Sequence, residues 1–391
     1  MKYILRDYQK QASDAAVKSF KSSKKTNGLI IVSTGGGKSL IIADIASRLD
    51  SPLLVFQPSK EILQQNFAKL QNYGILDCGC YSASVGSKDI NRITFATIGS
   101  VMNHMEDFKH FKYVLIDEAH VVNSKRGMYE KFINAEDRHV VGLTATPYRL
   151  SSYMAGSMLK FLTRTRPRIF SEVLYVCQTS DLLAKGYLAN LKYYDLTAIN
   201  IENVISNSTG ADYDEKSLKL EYERSGFFDK LTTTTLRVLK PKNGIPRKGV
   251  LVFTRFVEEA ENLVSKLKLK GISAAIVTGT TPKAEREQLL NDFKSGKIKV
   301  VANVGVLVVG FDFPALDTVI LARPTKSLAW YYQAVGRGIR PFKGKDGWVI
   351  DLAGNYKRFG KVSDLKIDVE KPNSQLWCVK SNGKILTNRM F

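Results

Sequence analysis

Short apolar segments alternate with amphipathic ones along much of the chain, and this alternation predicts buried strands separated by helices. Four early runs have the length of buried strands: "LLVFQ", "RITFAT", "YVLIDE" and "HVVGLTAT", which begin at Leu53, Arg92, Tyr113 and His139. Between the first two, residues 60–73 have helical spacing. Buried strands that alternate with helices indicate a mainly parallel, doubly wound sheet.

The alternation stops at about Arg149 and resumes at Gly249, which suggests a second sheet. In this later part we expect strands at 249–254, 273–279, 298–304, 318–323 and 347–353, and helices at 257–270 and 282–294. The turn-rich stretch "KPKNGIPRKG" at 240–249 is typical of a linker that leads into the second sheet.

The pattern therefore predicts an α/β protein with two domains, at 1–186 and 187–360. A length of 391 residues agrees with two domains, with room for a small third. We expect residues 361–391 to form a C-terminal tail or the start of an accessory element, because "QLWCVKSNGKILTNRMF" has the Asn-Gly turn of a hairpin.

Composition narrows the class of protein. Hydrophobic residues make up 44% and charged residues 24% of the chain, which is ordinary for a soluble globular protein. No apolar run is long enough to cross a bilayer, and the amino terminus "MKYILRDYQK" lacks the pattern of a signal peptide. The four cysteines include no C-x-x-C pair, so we expect a reducing compartment, the cytoplasm of a bacterial or phage-infected cell.

The net charge of +21 changes the picture more than the rest of the composition does. Such an excess of positive charge favours a polyanionic partner, either nucleic acid or an anionic membrane surface. A chain that is only made soluble by its charge is the plain alternative. We expect no membrane association.

The stretch "GLIIVSTGGGKSLIIADIA" at 28–46 places three glycines between a predicted strand and a predicted helix. Glycines let backbone amides turn inward, and the helix directs its positive end at the same point, so the loop suits a phosphate. Lys38 can reach the outer phosphates of a nucleotide, and the Ser39 hydroxyl can bind Mg²⁺. A bare turn is the alternative, and Val32 stands where the longer P-loop pattern has its first glycine.

A second motif is the acidic "DEAH" at 117–120, which stands at the end of a predicted buried strand. Ligands of α/β sheets lie beyond the carboxyl ends of strands, so we expect Asp117 to lie beside the glycine loop. One of Asp117 and Glu118 can hold the metal through water while the other activates the attacking water. Alone, such acids would more often form a solvated turn.

Four motifs in this order resemble the superfamily-two helicases: "STGGGKS", "DEAH", "TATP" at 144–147 and "QAVGRGIR" at 333–340. These proteins carry the shorter loop T-G-x-G-K-[ST], so Val32 is no defect. Within the superfamily, "LRDYQ", "VGLTATPYR", "GFDFP" and "DLAGNYKRFG" are most similar to the RadD and UvsW type of bacterial and phage DNA helicases. Related patterns occur in the motor subunits of restriction enzymes.

The resemblance implies two tandem RecA-like domains with an ATP cleft between them. It further implies that Arg6 and Gln9 contact adenine, that Asp117 positions Mg²⁺ together with Ser39, and that Glu118 is the general base. His120 and Thr144 would relay the nucleotide state toward the nucleic acid. The residues implied to hold the phosphates are Thr34, Gly35, Gly36, Gly37, Lys38 and Ser39.

In the second domain, the resemblance implies that Arg337 and Arg340 are arginine fingers and that Gln333 senses the γ-phosphate. Gly310 and Asp312 would contribute to the nucleotide site from the same domain. Asn303 departs from the family pattern, which has Thr or Ser at this position, although its amide could still donate to a phosphate oxygen.

Short hydroxyls and basic groups at loop-helix junctions suit phosphate oxygens of nucleic acid, which carry no sequence information. The candidates are Ser59, Lys60, Thr97, Ser100, Thr254, Arg255 and Thr278. A basic segment that runs from Arg149 to Arg168 adds Arg164 and Arg166, with Tyr153, Phe161 and Phe170 available for stacking on bases. An amphipathic helix is the alternative interpretation of this segment.

We therefore expect a monomeric, ATP- and Mg²⁺-dependent DNA helicase or translocase for forked, branched or single-stranded DNA, without sequence preference. An RNA helicase and a restriction-type motor subunit are the nearest alternatives. A nucleic-acid-binding scaffold with a dead ATPase is the alternative from a different class, and Lys38, Glu118 and Arg340 argue against it.

Overall fold

The computed structural model describes residues 4–123, 127–153, 156–240, 244–308 and 311–388, without the side chains at 152–157. The chain divides into two compact units, each with its own large sheet. The first unit consists of Met1–Arg149, Lys160–Asp181 and Lys366–Lys380, and the second consists of Leu150–Leu159, Leu182–Leu365 and Ser381–Phe391.

The first unit contains an eight-stranded sheet with the order β10-β1-β7-β6-β2-β5-β3-β4. All neighbouring strands are parallel except β3 and β4, so the carboxyl ends of seven strands lie at one edge. Its strands are β1 Gly28–Val32, β2 Leu53–Phe56, β3 Cys78–Ser82, β4 Ser87–Lys88, β5 Ile93–Ala96, β6 Tyr113–Ile116, β7 His139–Thr144 and β10 Glu172–Cys177.

Helices connect these strands because the sequence between them has apolar residues on one face only. In α1, for example, the buried residues include Ala12, Ala16 and Phe20, which recur at helical spacing. The helices are α1 Asp7–Phe20, α2 Lys38–Ser47, α3 Lys60–Asn72, α4 Ile98–Met102, α5 Met128–Asn134 and α6 Thr179–Ala184. A two-stranded sheet follows β7, with β8 at Tyr148–Tyr153 and β9 at Gly156–Phe161.

The second unit contains a six-stranded, wholly parallel sheet with the order β11-β16-β15-β12-β14-β13. Its central strands are buried along their whole length, as expected when helices cover both faces. The strands are β11 Leu191–Asp195, β12 Val250–Thr254, β13 Ala274–Val277, β14 Val300–Val304, β15 Thr318–Leu321 and β16 Gly347–Asp351.

The helices of the second unit are α7 Glu215–Ser225, α8 Phe227–Leu239, α9 Val257–Leu269, α10 Lys283–Ser295, α11 Leu328–Gly336 and α12 Asn355–Phe359. One core packs α7, α8 and α9 against the sheet, with Tyr222 and Phe227 stacked at 4.2 Å between ring centroids. The segment in which the apolar alternation stops therefore contains two amphipathic helices.

The stretch at 240–249 is not a free linker into the second sheet. Residues 241–243 lie outside the described part of the chain, but Arg247 is buried within the second unit. Its guanidinium donates to the Thr318 hydroxyl and the Asp317 carbonyl, both at 2.8 Å, and lies over the Trp348 ring. The main segment of the second unit, Leu182–Leu365, already begins well before this stretch.

The C-terminal residues are divided between the two units. Strands β17 Lys366–Val369 and β18 Trp377–Ser381 pair antiparallel, and β19 at Lys384–Ile385 completes a three-stranded sheet. Most of β17 and β18 belongs to the first unit, where the Gln178 side chain bonds both backbone groups of Ile367. The residues assigned above to a separate tail thus contribute to both compact units.

None of the helices in the described ranges combines the length and the apolar character that crossing a membrane would require.

Candidate functional site

The glycine loop lies between β1 and α2, at the carboxyl edge of the first sheet. Gly35 and Gly37 have φ values of 80° and 77°, which only glycine adopts without strain. A Cβ at Gly37 would stand 2.3 Å from the Gln9 Nε2 atom, so a side chain there would also clash. The loop therefore exposes backbone amides at the start of α2, where an anion is favoured.

Helix α1 holds this loop from one side. The Tyr8 hydroxyl donates to the Gly36 carbonyl at 2.9 Å, and the Gln9 side chain donates to the same oxygen at 3.2 Å. The Gln9 Oε1 atom accepts from the Arg6 backbone amide at 2.9 Å. Of the two residues expected at adenine, Gln9 is thus buried against the loop, whereas Arg6 is exposed. Tyr8, within the same "LRDYQ" motif, was not expected to touch the loop.

Asp117 and Glu118 follow β6, and the structure brings them to the same place as Lys38. The Lys38 ammonium lies 3.2 Å from the Glu118 carboxylate. Glu118 has φ and ψ of 50°, a left-handed conformation that is uncommon for a residue with a side chain. Backbone strain of this kind is a marker of functional sites.

Asp117 is fully buried and held by two donors. The Asn66 side-chain amide donates to one carboxylate oxygen at 3.0 Å, and the Glu118 backbone amide donates to the other at 2.9 Å. Asn66 also donates to Gln57 at 2.9 Å. Asn66 stands on α3, 51 residues from Asp117, and no local pattern in the sequence pointed to it.

The two acidic groups titrate differently because their surroundings differ. Burial, together with the charge on Glu118, raises the pKa of Asp117 to about 6. Burial alone would raise the pKa of Glu118 as well, but Lys38 and His120 hold that pKa well below its usual range. Glu118 is therefore firmly ionised, as a group that accepts a proton from water must be.

A chain of contacts leads from Glu118 to the end of β7. The His120 Nδ1 atom lies 3.3 Å from the Glu118 carboxylate and 3.1 Å from the Thr144 hydroxyl. The Thr144 hydroxyl in turn accepts from the Thr146 backbone amide at 3.0 Å. The structure thus joins the residues of "DEAH" and "TATP" through side chains at two neighbouring strand ends.

The side chains and backbone amides at this edge suit the binding of ATP together with Mg²⁺. Mg²⁺ is usually held by one or two carboxylates together with substrate phosphates, and Ser39 and Asp117 supply a hydroxyl and a carboxylate at this edge. The Lys69 ammonium donates to the Ser39 hydroxyl at 3.2 Å. Ser39 and Asp117 would hold the metal, and the glycine loop would hold the phosphates.

In the second unit, two of the residues that were expected to complete the nucleotide site contact each other, and a third holds the neighbouring segment. Arg340 forms an ion pair with Asp312, and Arg337 donates to the Phe311 carbonyl at 2.6 Å. Gln333 and Arg337 are both buried, so Arg337 fixes the "GFDFP" segment rather than presenting a free guanidinium. Gly310, expected at the same site, lies outside the described residues.

The first-unit candidates for nucleic-acid contacts form two groups at the carboxyl ends of β2, β3 and β5. Ser59 caps α3 by accepting from the Ile62 amide at 3.4 Å, and the Lys60 ammonium donates to the Ser84 carbonyl. The Thr97 hydroxyl lies 3.0 Å from that of Ser100. All four candidates are partly exposed.

Two candidates in the second unit are placed where they cannot contact a ligand directly. Asn303 is fully buried, and its Oδ1 atom accepts from the backbone amides of Val306 and Leu307 at 3.1 and 2.8 Å. Thr254 is 1% exposed and donates to the Asn303 carbonyl at 3.3 Å. Both side chains shape the ends of β12 and β14 instead of meeting phosphates.

The other two candidates remain at the surface. Thr278 belongs to a threonine turn in which its amide donates to the Thr281 hydroxyl at 2.9 Å. Arg255 is mostly covered by the carboxylates of Asp212 and Glu215, at 3.2 and 3.1 Å.

The basic segment beyond Arg149 differs from both interpretations made above. It is no amphipathic helix, because it consists of β8, β9 and a 3-10 turn at Leu162–Arg164. The prediction that its aromatic residues stack on bases is also wrong for two of them, since Phe161 and Phe170 are 0% and 2% exposed. The Tyr153 side chain lies outside the described residues.

The arginines of this segment have neighbours of their own. Arg164 forms an ion pair with Glu370, which occupies its guanidinium within the first unit. Arg166 and Arg168 are exposed, and each donates to a nearby backbone carbonyl at 3.0 Å. Arg166 and Arg168 therefore offer positive charge to a ligand without first breaking an ion pair seen here.

Two family models match the chain. "Type III restriction enzyme, res subunit" matches residues 2–149, and "Helicase conserved C-terminal domain" matches residues 233–341. The first range includes Lys38 and Glu118, and the second includes Gln333 and Arg340.

Two relatives extend over most of the chain. The putative ATP-dependent helicase IRC3 of Saccharomyces cerevisiae is 27% identical over 374 residues, which are 90% of this chain and 52% of that protein. A 51.5 kDa protein of a Lactococcus phage is 27% identical over 331 residues, 83% of this chain and 65% of that protein. The chain thus spans about half to two thirds of these relatives.

A solved structure has the same fold. The ATP-dependent Type ISP restriction-modification enzyme LlaBIII, bound to DNA, gives a TM-score of 0.68 at 19% identity, covering 90% of this chain and 28% of that one. This similarity confirms the expected pair of tandem RecA-like α/β domains with parallel sheets.

Proposed function

We propose that this chain is a superfamily-two helicase and an ATP-driven motor on DNA. It would move on forked or branched DNA and remodel or unwind it, as expected from its similarity to the RadD and UvsW type. The observation that carries the proposal is the contact of Lys38 with Glu118 and, through His120, with Thr144, because it joins a phosphate-binding group, a general base and a relay.

The chemistry follows from the charges at this edge. Bound Mg²⁺ would neutralise phosphate charge, and Ser39 and Asp117 are its proposed protein ligands. The Glu118 carboxylate would accept the proton of the attacking water. Lys38 pairs with Glu118 in the structure, so ATP phosphates would compete for this ammonium and leave Glu118 free to act.

Arg340 is the proposed arginine finger of this reaction. An arginine that stabilises charge in the transition state contributes roughly 10³–10⁵ in rate. Because Arg340 is paired with Asp312, we propose that the two residues act as a switchable pair. Arg337 would position the "GFDFP" segment through the Phe311 carbonyl.

The proposed DNA contacts are Ser59, Lys60, Thr97, Ser100, Arg255 and Thr278, with Arg166 and Arg168 as further cations. These groups suit phosphate oxygens, so binding would be insensitive to sequence and strongly salt-dependent. The net charge of +21 supports a polyanionic partner.

A restriction-type motor is a second candidate. The match of residues 2–149 to the res subunit family and the similarity to LlaBIII favour it. This candidate differs from the first in requiring a nuclease, so the two are separated by testing whether the chain remodels DNA by itself.

The first experiment measures ATP turnover by the purified chain with and without single-stranded DNA. Lys38→Ala should lower turnover at least ~10²-fold because phosphate binding loses its cation, while salt-sensitive DNA binding persists. Lys24→Ala, at an exposed lysine of the same unit, is the matched control and should behave as the wild type. DNA binding without any ATP turnover would identify a scaffold and refute the motor.

Arg340→Ala tests the second unit in the same assay. We expect ATP binding to persist and hydrolysis to fall by ~10³-fold or more. Arg224→Ala removes an exposed arginine of the same unit and should leave the rate unchanged. Unchanged hydrolysis in Arg340→Ala would show that the arginine finger is misassigned.

The second experiment compares ATP-driven strand displacement on a single-strand overhang, a fork, a Holliday junction and an RNA duplex. Preference for the fork or junction supports the proposal. Displacement of the RNA duplex alone would replace the DNA assignment with an RNA helicase.

A further inference from the structure

Four cations gather at the carboxyl edge of the second sheet. Arg255 follows β12, Arg323 and Lys326 follow β15, and Arg358 stands on α12 after β16. Carboxyl ends of parallel strands share one edge, so these residues come from separate parts of the sequence to one surface. Of the four, Arg255 was expected to contact nucleic acid, and Arg358 lies within the "DLAGNYKRFG" motif.

A short turn covers this surface. Residues 206–213, here named the Asp212 turn, are closed by a bridge between Ser206 and Tyr213. Within the turn, the Asn207 amide donates to the Asp212 carbonyl at 2.9 Å, and the Asn207 side chain accepts from the Ala211 amide at 3.1 Å. The turn is therefore held in shape largely by its own hydrogen bonds.

The Asp212 carboxylate is the centre of the contact. One of its oxygens accepts from Arg255 Nη1 and from Arg323 Nη2, both at 3.2 Å. The other accepts from the Lys326 backbone amide at 3.4 Å. Two guanidinium groups and a backbone amide thus converge on one small anion.

Two further cations contact the remainder of the turn. The Lys326 ammonium and the Arg358 guanidinium each lie 5.5 Å from the centroid of the Tyr213 ring, and Lys326 also donates to the Ser206 hydroxyl. Tyr213 is buried, whereas Ser206 and the tip beyond it are open to solvent. The tip of the turn is therefore exposed, whereas its Tyr213 end is packed against the second unit.

Positive charge exceeds negative charge at this surface. The side chains of Arg255 and Arg323 are only 17% and 18% exposed, and both form their ion pair with the same carboxylate, that of Asp212. Glu215 adds a second contact to Arg255 only, from a side chain that is 66% exposed. Burial and the neighbouring Arg255 lower the pKa of Arg323.

We propose that Arg255, Arg323 and Lys326 form a binding site for a backbone phosphate of the nucleic acid, and that the Asp212 turn is a displaceable cover of this site. A phosphodiester carries one negative charge and two free oxygens, as a carboxylate does, and arginine binds both in the same forked geometry. Asp212 then stands in for the phosphate until nucleic acid replaces it. The inference rests on the proposed function, since it names a contact of the same motor.

The test measures the affinity of a fluorescent single-stranded oligonucleotide over a series of salt concentrations. Asp212→Asn removes the competing charge, so the affinity should rise about threefold to tenfold. The log–log salt dependence should become steeper by about 0.7, the value for one additional phosphate contact.

Asp77→Asn is the matched control. Asp77 also forms an ion pair with an arginine, Arg92, at 2.8 Å. This pair lies at the amino-terminal edge of the first sheet, away from the carboxyl ends of its strands. The control variant changes the net charge by the same amount and should change binding far less. Equal gains in both variants would mean that only the overall charge matters, and the inference would fail.

Lys326→Gln tests the site without uncovering a buried charge. We expect weaker binding and a salt dependence that is shallower by about 0.7. Thermal unfolding of each variant checks that the second unit remains folded. If Asp212→Asn does not fold, Lys326→Gln decides, and unchanged affinity and slope in that variant would overturn the inference.

DNA-stimulated ATP turnover of the wild-type chain separates the two proposals. Its absence refutes the motor, whatever the oligonucleotide titrations give. Its presence, combined with binding that Asp212→Asn and Lys326→Gln leave unchanged, refutes the phosphate site alone.

Discussion

A buried carboxyl group makes the second unit sensitive to pH. Glu259, in the first turn of α9, accepts from the Arg255 and Phe256 backbone amides at 2.9 and 3.4 Å. Its other oxygen has no hydrogen-bond partner among the described residues. Burial raises the pKa of Glu259 to about 8, despite those amides and the charge of Arg323.

We predict that the free energy of unfolding falls as the pH rises from about 5 to 8. In this range the folded chain keeps a proton on Glu259 that the unfolded chain has lost, which costs up to about 1.4 kcal/mol per pH unit. Glu259→Gln should flatten this dependence and be more stable than the wild type at pH 8. Denaturant unfolding at several pH values measures it. Glu258→Gln, at an exposed neighbour, should keep the wild-type slope.

At the scale of elements, the ends of β6 and β7 act together through His120 and Thr144. Both strands are central, parallel and buried, so their ends are fixed relative to each other. The side chains beyond those ends can therefore report a change at Glu118 to the segment after β7. This rigidity is what a relay between ATP and nucleic acid requires.

We predict that His120→Ala and Thr144→Val reduce the stimulation of ATP turnover by DNA about tenfold, because each variant interrupts the contact at 3.1 Å. The double variant should lose no more than either single variant. His104→Ala, at an exposed histidine of the same unit, is the control. Additive losses would show that the two residues act independently.

Local patterns predict some elements well and others poorly. The central strands and the residues at their ends were predictable because full burial requires apolar runs, and β1, β6 and β12 have them. Strands β10 and β11 were missed since they lie at sheet edges and are only half-buried, with sequences "EVLYVC" and "LKYYD".

The residues of the candidate site were likewise predictable only in part. Lys38, Asp117 and Glu118 lie in short motifs, so their chemistry was predictable from spacing. Asn66 and Asp212 were not, because each meets its partner across a long stretch of chain, as Asp212 does with Arg323 across 111 residues. Asn303 failed as a phosphate contact because the hydrophobic pattern did not reveal that its side chain faces inward.

At the scale of the whole molecule, most of the C-terminal segment, Lys366–Lys380, is part of the first unit. Trp377 stacks with Phe161 at 6.5 Å between centroids, Glu370 pairs with Arg164, and Cys378 is fully buried. Removing the segment would expose apolar surface on the first unit and leave Arg164 without this ion pair.

We predict that a chain ending at Leu365 is less stable by about 3 kcal/mol or more, which lowers its thermal midpoint by at least about 6 °C. A chain ending at Asn388, the last residue described, is the control and should unfold as the full chain does. Differential scanning calorimetry measures both. An unchanged midpoint after the longer deletion would show that the segment adds nothing to the first unit.

The interleaved course of the chain has a practical consequence for protein engineering. Residues 150–159 belong to the second unit although 160–181 return to the first, and 366–380 return to it again. No single cut in the gene therefore yields two intact halves, and neither half can be exchanged between homologues as one contiguous cassette. Chimeras of this chain would need Met1–Arg149, Lys160–Asp181 and Lys366–Lys380 to be transferred together.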